Sequence, residues 1–149
     1  MNRKQEDFDP LKLENQLCFP MYACAKEIVR RYRPYLDELG ITYTQYITMM
    51  VMWEHEKIIS TDLSAYLHLD YGTLTPVLKK LETMGMIKRK RAAKDERLLE
   101  IELTDKGRGL REKAGHIPGK MSGLLGLSAK EAKTLYELLY KTLAYMEEH

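Results

Sequence analysis

The chain has 149 residues, of which 44% are apolar, and a net charge of +2. That is enough apolar content for a folded core rather than a disordered chain, and no apolar run approaches the ~20 residues that a membrane span needs. The opening residues MNRKQEDFDP lack the apolar stretch of a secretion leader, so a cytoplasmic protein is expected. In that compartment Cys18 and Cys24 make no disulfide framework. The four histidines, His55, His68, His116 and His149, are scattered without metal-site spacing, so no metal or cofactor is expected.

Along the chain, Asp9 before Pro10 reads as an N-cap with proline in the first helical position. From there Leu17, Cys18, Met21, Tyr22, Ala25, Ile28, Val29 and Tyr32 recur at helical spacing as one apolar stripe. Pro34 is expected to interrupt this helix, and Gly40 to end the short stretch after it. Thr42 with Gln45 has capping-box spacing and opens a second helix to about His55, apolar almost all round and therefore central. Ser60 is read as the cap of a short helix through Leu67, and Asp70 as the cap of another to Met84, closed by Gly85.

After Gly85 the period changes. Ile87 to Arg91 and Leu98 to Leu103 read as two strands, the second alternating Leu99, Ile101 and Leu103 against Glu100 and Glu102, with residues 92–97 as the hairpin loop. Thr104 then caps a helix to about Ile117, which Pro118-Gly119 breaks. Ser128 with Glu131 is a second capping box, followed by Leu135, Leu138, Leu139, Thr142, Leu143 and Met146 on one helical face.

Two short helices followed at once by a hairpin describe a winged helix-turn-helix. The fold class is mainly α with a small β-hairpin wing (α+β). One domain over 1–149 is expected, with a DNA-binding lobe at about 42–104. Residues 9–40 and 105–149 supply N- and C-terminal dimerisation helices, whose stripes bury each other across a two-fold axis. The second short helix enters a major groove and the wing reaches an adjacent minor groove. Double-stranded DNA with a pseudo-palindromic operator is the expected partner. Lys88, Arg89, Lys90, Arg91, Lys94 and Arg97 put six cations into ten residues at the hairpin, either a solvated strand or a phosphate footprint.

Thr73, Thr75, Pro76 and Lys79 lie in the first half of the second short helix, where base edges are read. The threonines can hydrogen-bond base or phosphate, and Pro76 can touch a thymine methyl; capping and packing are the alternative uses. Lys80, Arg89, Arg91 and Lys94 suit phosphate contacts, which position without reading sequence.

Asp70-Tyr-Gly-Thr-Leu-Thr-Pro-Val-Leu-Lys-Lys-Leu-Glu, then Gly85-Met-Ile-Lys-Arg, Asp95-Glu-Arg97 and Leu103-Thr-Asp-Lys-Gly107 resemble the MarR family of transcriptional regulators. Leu13-Glu-Asn-Gln-Leu-Cys18-Phe with Tyr22, Tyr32 and Ile41-Thr-Tyr43 further resembles the organic hydroperoxide resistance regulators within it. The resemblance implies a repressor, not an enzyme, whose N-terminal cysteine is oxidised by organic hydroperoxides, after which the dimer leaves its operator. It implies that Cys18 is the peroxidatic cysteine, and that Tyr32 and Tyr43 are phenols that hydrogen-bond its thiolate from the partner subunit. It also implies that Asp95 and Arg97 form the wing tip. Arg97 would then read a narrow minor groove, oriented by a bidentate pair with Asp95.

On chemistry alone Cys18 stays open. A free cysteine on an apolar stripe is commonly an inert small hydrophobe, and reactivity needs a stabilised thiolate. In a helix that opens at Asp9, Cys18 lies beyond reach of the helix dipole, which leaves tyrosine hydroxyls as donors; the chain has ten tyrosines against two phenylalanines. Pro20 removes a bond to the Gln16 carbonyl and is expected to bend the helix or shift its start, since an interior proline costs ~3 kcal/mol. The chain has no cysteine after Cys24, so it resembles the one-cysteine type. Six helical residues put the Cα atoms of Cys18 and Cys24 ~10 Å apart, past the ~7 Å disulfide limit. A sulfenic acid at Cys18 would cap with a low-molecular-weight thiol, close to a sulfenamide or over-oxidise. The alternatives are a repressor induced by a small aromatic or phenolic ligand, or a global redox regulator, with Cys18 structural. A cysteine enzyme using His55 or His68 lacks a base-orienting group.

Overall fold

The computed structural model describes residues 8–149; the first seven residues, most of the stretch read as lacking a secretion leader, lie outside it. The chain divides into two compact units, one up to Gly115 and one from His116 to His149.

In the first unit the long helix α1 spans Cys18–Leu39, starting eight residues later than Asp9 as a cap promises. Asp9 instead caps a tight turn: its carboxylate accepts from the Leu11 N–H at 2.9 Å, and its carbonyl accepts from the Asn15 side chain at 2.7 Å. A single 3₁₀ turn, Leu13–Asn15, follows. Pro20 explains the late start. It has no N–H to donate to Gln16, and in the third position of α1 it needs none. Of the two outcomes expected of Pro20, the shifted start is the one observed. Nor does Pro34 interrupt the helix. It lies inside α1, which forgoes one backbone bond there and runs on to bury Leu36 before Gly40 closes it with φ +69°.

Helix α2, Tyr43–His55, starts at the expected capping box: Thr42 accepts from the Gln45 N–H and Gln45 from the Thr42 N–H. It buries Tyr46, Thr48, Met49 and Met52 at the centre of the unit. The short strand β1, Lys57–Ile59, was not anticipated. It leads into α3, Ser60–Leu67, whose cap position is Ile59. Ser60 is therefore not a cap; it is fully buried and accepts a hydrogen bond from the Tyr71 hydroxyl at 2.8 Å. Asp70 caps α4, Tyr71–Thr83, as expected, and α4 faces the core through Leu74, Leu78 and Leu81.

Strands β2, Ile87–Arg91, and β3, Leu99–Leu103, form the hairpin, and β1 adds to the far side of β3, giving an antiparallel sheet in the order β1-β3-β2. Ile58 lies opposite Ile101, and Ile87 opposite Leu103, all four buried. Each such aliphatic side chain contributes roughly 1.5–3 kcal/mol on burial. Thr104 caps α5, Asp105–Ala114, by accepting from the Gly107 N–H at 3.0 Å. Helix α5 ends three residues short of Ile117.

The second unit holds α6, Ile117–Met121, and α7, Ala129–Glu148. Pro118-Gly119 does not break a helix but lies within the first turn of α6, where a proline is well suited. The Ser128–Glu131 capping box opens α7, and Leu135, Leu138, Leu139 and Met146 on its apolar face are exposed in the single chain. Among the described residues no helix is long and apolar enough to cross a membrane.

Candidate nucleic-acid interface and thiol site

Helix α4 turns Thr73, Pro76, Lys79 and Lys80 outward, opposite its leucine face. Thr73 is engaged locally: Asp70 accepts from its N–H at 2.8 Å and from its hydroxyl at 2.9 Å. The half-buried Thr75 donates its hydroxyl to the Tyr71 carbonyl at 2.7 Å. Both hydroxyl protons are therefore committed within the helix, and what the two threonines present outward is acceptor oxygen.

At the tip of the hairpin, Asp95 accepts from the Arg97 backbone N–H, from its Nε and from its Nη2, each at 3.0 Å. The bidentate pair holds the Asp95 carboxyl below the usual carboxylate range and fixes the guanidinium plane. The Arg97 side chain is nonetheless 89% exposed. A planar cation held in one orientation, yet open on its outer face, suits insertion into a narrow groove. Arg91 Nη1 donates to the Glu96 carbonyl at 3.3 Å, bracing the loop, and Lys94 is exposed.

Arg89, expected at a phosphate, faces inward. Its Nη2 donates to Glu82 Oε1 at 3.0 Å and its backbone N–H to Glu82 Oε2 at 3.2 Å. The Arg89 guanidinium keeps the Glu82 carboxyl below its ordinary range. Sequence reasoning passed over Glu82. Its signal was an acidic residue in the last turn of a helix, where the dipole disfavours negative charge.

Cys18 is the first residue of α1, and both it and Cys24 are free thiols exposed in the single chain. Cys18 is therefore neither buried nor deep in the helix. It stands in the first turn of the helix. Tyr22 lies one turn along the same face, with Lys26 Nζ 5.3 Å from its ring centroid. Tyr32, fourteen residues beyond Cys18, is ~21 Å along the axis from it, so Tyr32 and Cys18 of one chain do not meet. Tyr32 instead clusters with Tyr43 and Tyr46, centroids 5.0 Å and 5.8 Å away, and Trp53 packs edge-on against Tyr46. Burial pushes the three phenols above their ordinary pKa, so all three hold their protons as donors at neutral pH. Tyr46 was not among the residues singled out from the sequence; its place four residues before Met50 on an all-round apolar helix hid it.

A cavity of about 480 Å³ lies beside Trp53 and Leu103, with Arg108 and Arg111 on its wall. Arg108 is already held by Glu56 at 2.6 Å and Asp105 at 2.7 Å.

Residues 30–114 match the family described as Transcriptional regulator SarA/Rot. The chain is 47% identical over 139 residues to the organic hydroperoxide resistance transcriptional regulator of Bacillus subtilis strain 168, covering 93% of this chain and 95% of that one. Among solved structures it is similar to AbfR in its reduced form bound to DNA, with TM-score 0.76 and 35% identity over 90% of this chain and 94% of that one. It is also similar to the Staphylococcus aureus MepR–DNA complex, with TM-score 0.77 and 25% identity over 87% and 98%.

Proposed function

The chain belongs to the SarA/Rot family of winged-helix transcriptional regulators, with MarR-type neighbours, and from that premise we propose that it is a cytoplasmic repressor that senses organic hydroperoxides through Cys18. It is a DNA-binding regulator, not an enzyme. The observation that carries the finer reading is the place of Cys18: an exposed thiol in the first turn of α1, on a chain nearly half identical to a hydroperoxide-resistance regulator.

In this reading the Cys18 thiolate attacks the terminal oxygen of the hydroperoxide. An S–O bond forms, the O–O bond breaks, and the alkoxide leaves as the alcohol after taking a proton. The resulting sulfenic acid condenses with a low-molecular-weight thiol, releasing water, or is oxidised further by a second peroxide. The active species is a homodimer, in which a second copy covers the exposed stripes of α1 and α7. The Tyr32 and Tyr43 phenols of the partner then donate to the Cys18 thiolate of the first chain, with Tyr22 beside it.

At the DNA, α4 presents Thr73, Thr75, Pro76, Lys79 and Lys80 to a major groove of a pseudo-palindromic operator. Arg91 and Lys94 flank phosphates, and Arg97, held by Asp95, enters the minor groove. Capping Cys18 both enlarges the sulfur and removes its hydrogen bonds, each worth roughly 1–3 kcal/mol. Two such sites approach the ~5 kcal/mol that near-complete release requires.

The test is operator binding before and after an alkyl hydroperoxide. Cys18→Ser should bind DNA and ignore peroxide, while Cys24→Ser should respond as the natural chain does. Release of Cys18→Ser by peroxide would place the sensor elsewhere. The cavity beside Trp53 favours a second reading, induction by a small aromatic ligand, which predicts that a phenolic carboxylate releases Cys18→Ser from DNA.

A further inference from the structure

We propose that Glu82 is a positioning residue for DNA binding, whose carboxylate clamps the wing to the recognition helix so that Arg89 acts from inside the lobe and not on a phosphate. The inference rests on the DNA-binding role of the lobe. Strand β2 is an edge strand, and the Arg89 N–H points away from β3 towards α4. Glu82 takes that N–H on one oxygen and the Arg89 guanidinium on the other. A single carboxylate therefore joins the last turn of α4 to the third residue of β2 at two points.

The arrangement is costly by itself. A negative side chain at the C-terminal end of a helix opposes the dipole. The Arg89 side chain is only 18% exposed, with its Nε buried and lacking a hydrogen-bond partner. A cation meant for phosphate would gain nothing from such burial. Further ties lie at the base of the hairpin, where the Met86 N–H donates to the Leu81 carbonyl at 3.0 Å, Thr104 Oγ1 to the Gly85 carbonyl at 2.6 Å and Lys106 Nζ to the Met84 carbonyl at 2.8 Å. Glu82 adds an anchor further out. The hairpin loop begins three residues beyond Arg89, and Asp95 lies six beyond it, at most roughly 20 Å along the wing, so a swing of about 10° at Arg89 moves the tip by up to about 3 Å. That is enough to take Arg97 out of register with a groove ~6 Å wide.

The clamp and simple electrostatics predict opposite signs for one substitution. Glu82→Gln removes a negative charge beside DNA, which by charge alone strengthens binding to any sequence. If Glu82 positions the wing, it weakens binding to the preferred sequence. The experiment uses the full chain, a duplex selected from a random pool by the natural protein, and a random-sequence duplex of equal length, over a range of salt. Glu82→Gln and Arg89→Gln should each weaken the selected duplex roughly 5- to 20-fold and leave the random duplex within about 2-fold. The double variant should be no worse than the worse single, and amide exchange at Arg89 should accelerate in Glu82→Gln. Arg89→Met reads the same loss should Arg89→Gln fold poorly. Tighter or unchanged binding by Glu82→Gln, equal loss on both duplexes, or a salt slope lowered by about one in Arg89→Gln each overturns the clamp. Failure of the natural protein to select any duplex would instead remove the DNA-binding reading.

Discussion

Gly107 provides a sharp quantitative test of how α5 is seated. A Cβ added there would lie 2.2 Å from the Met86 carbonyl oxygen and 2.7 Å from Leu103 Cδ1, and the first of these is backbone that also accepts the Thr104 N–H at 3.2 Å. The Gly107 carbonyl accepts from Trp53 Nε1 at 2.9 Å. Gly107→Ala must therefore move α5 or the turn before β2, weakening two hydrogen bonds worth about 1 kcal/mol each and overpacking the site by about 1–3 kcal/mol. Against this stands the helix preference for alanine over glycine, about 1 kcal/mol. The net expectation is a loss of about 2–4 kcal/mol, or roughly 5–12 °C in Tm for a chain of this size. Gly109, two residues on in the same helix, has nothing beyond its own helix backbone within 4 Å of its added Cβ, so Gly109→Ala should gain up to about 1 kcal/mol. Urea unfolding of the two variants side by side decides the matter. If Gly107→Ala is as stable as Gly109→Ala, the close approach of α5 to Met86 does not exist.

At the wing, Arg97→Ala should weaken operator binding by about 1–3 kcal/mol and relax preference at one base step, whereas Lys94→Ala should act on all sequences and lower the salt slope by about one; titrations at several salt concentrations separate them. The tyrosine cluster sets a pH dependence. Because burial raises the folded pKa of Tyr32, Tyr43 and Tyr46 above the unfolded value, their contribution is fully present below the unfolded value near 10 and is lost as pH rises through the folded one. Tyr32→Phe and Tyr43→Phe should match each other in stability trend at pH 7 and lose less than the natural chain above pH 10, read by tyrosinate absorbance and thermal melts.

Helix starts were legible in the sequence wherever a side chain closes the cap locally. Thr42, Asp70, Thr104 and Ser128 each accept from the N–H three residues on, a signal contained within four residues. Ser60 carried the same letter but is a buried acceptor for Tyr71, a contact eleven residues away that no local pattern encodes. Asp9-Pro10 imitated a helix start because an Asx turn and an N-cap use the same carboxylate-to-N–H bond. The decisive residue was Pro20, ten positions later. Strand β1 is three residues long and is made by its pairing with β3; it has no periodicity of its own. At the wing, the Asp95–Arg97 pair follows from adjacency. The inward turn of Arg89 depends on a helix end meeting a sheet edge, so six cations within ten residues could not be sorted by sequence into those facing out and those facing in.

The late start of α1 has a chemical consequence for Cys18. A helix beginning ordinarily offers several free N–H groups to an anion, but Pro20 has none and the Phe19 N–H turns to the Gln16 carbonyl at 3.3 Å. The helix thus lends Cys18 a favourable field with few oriented donors. In the proposed assembly the missing donors come from the other copy, so peroxide sensitivity is completed only when two chains meet. A newly made subunit would then pass through its solitary phase unprimed, and reaction with peroxide would report on paired, operator-competent protein.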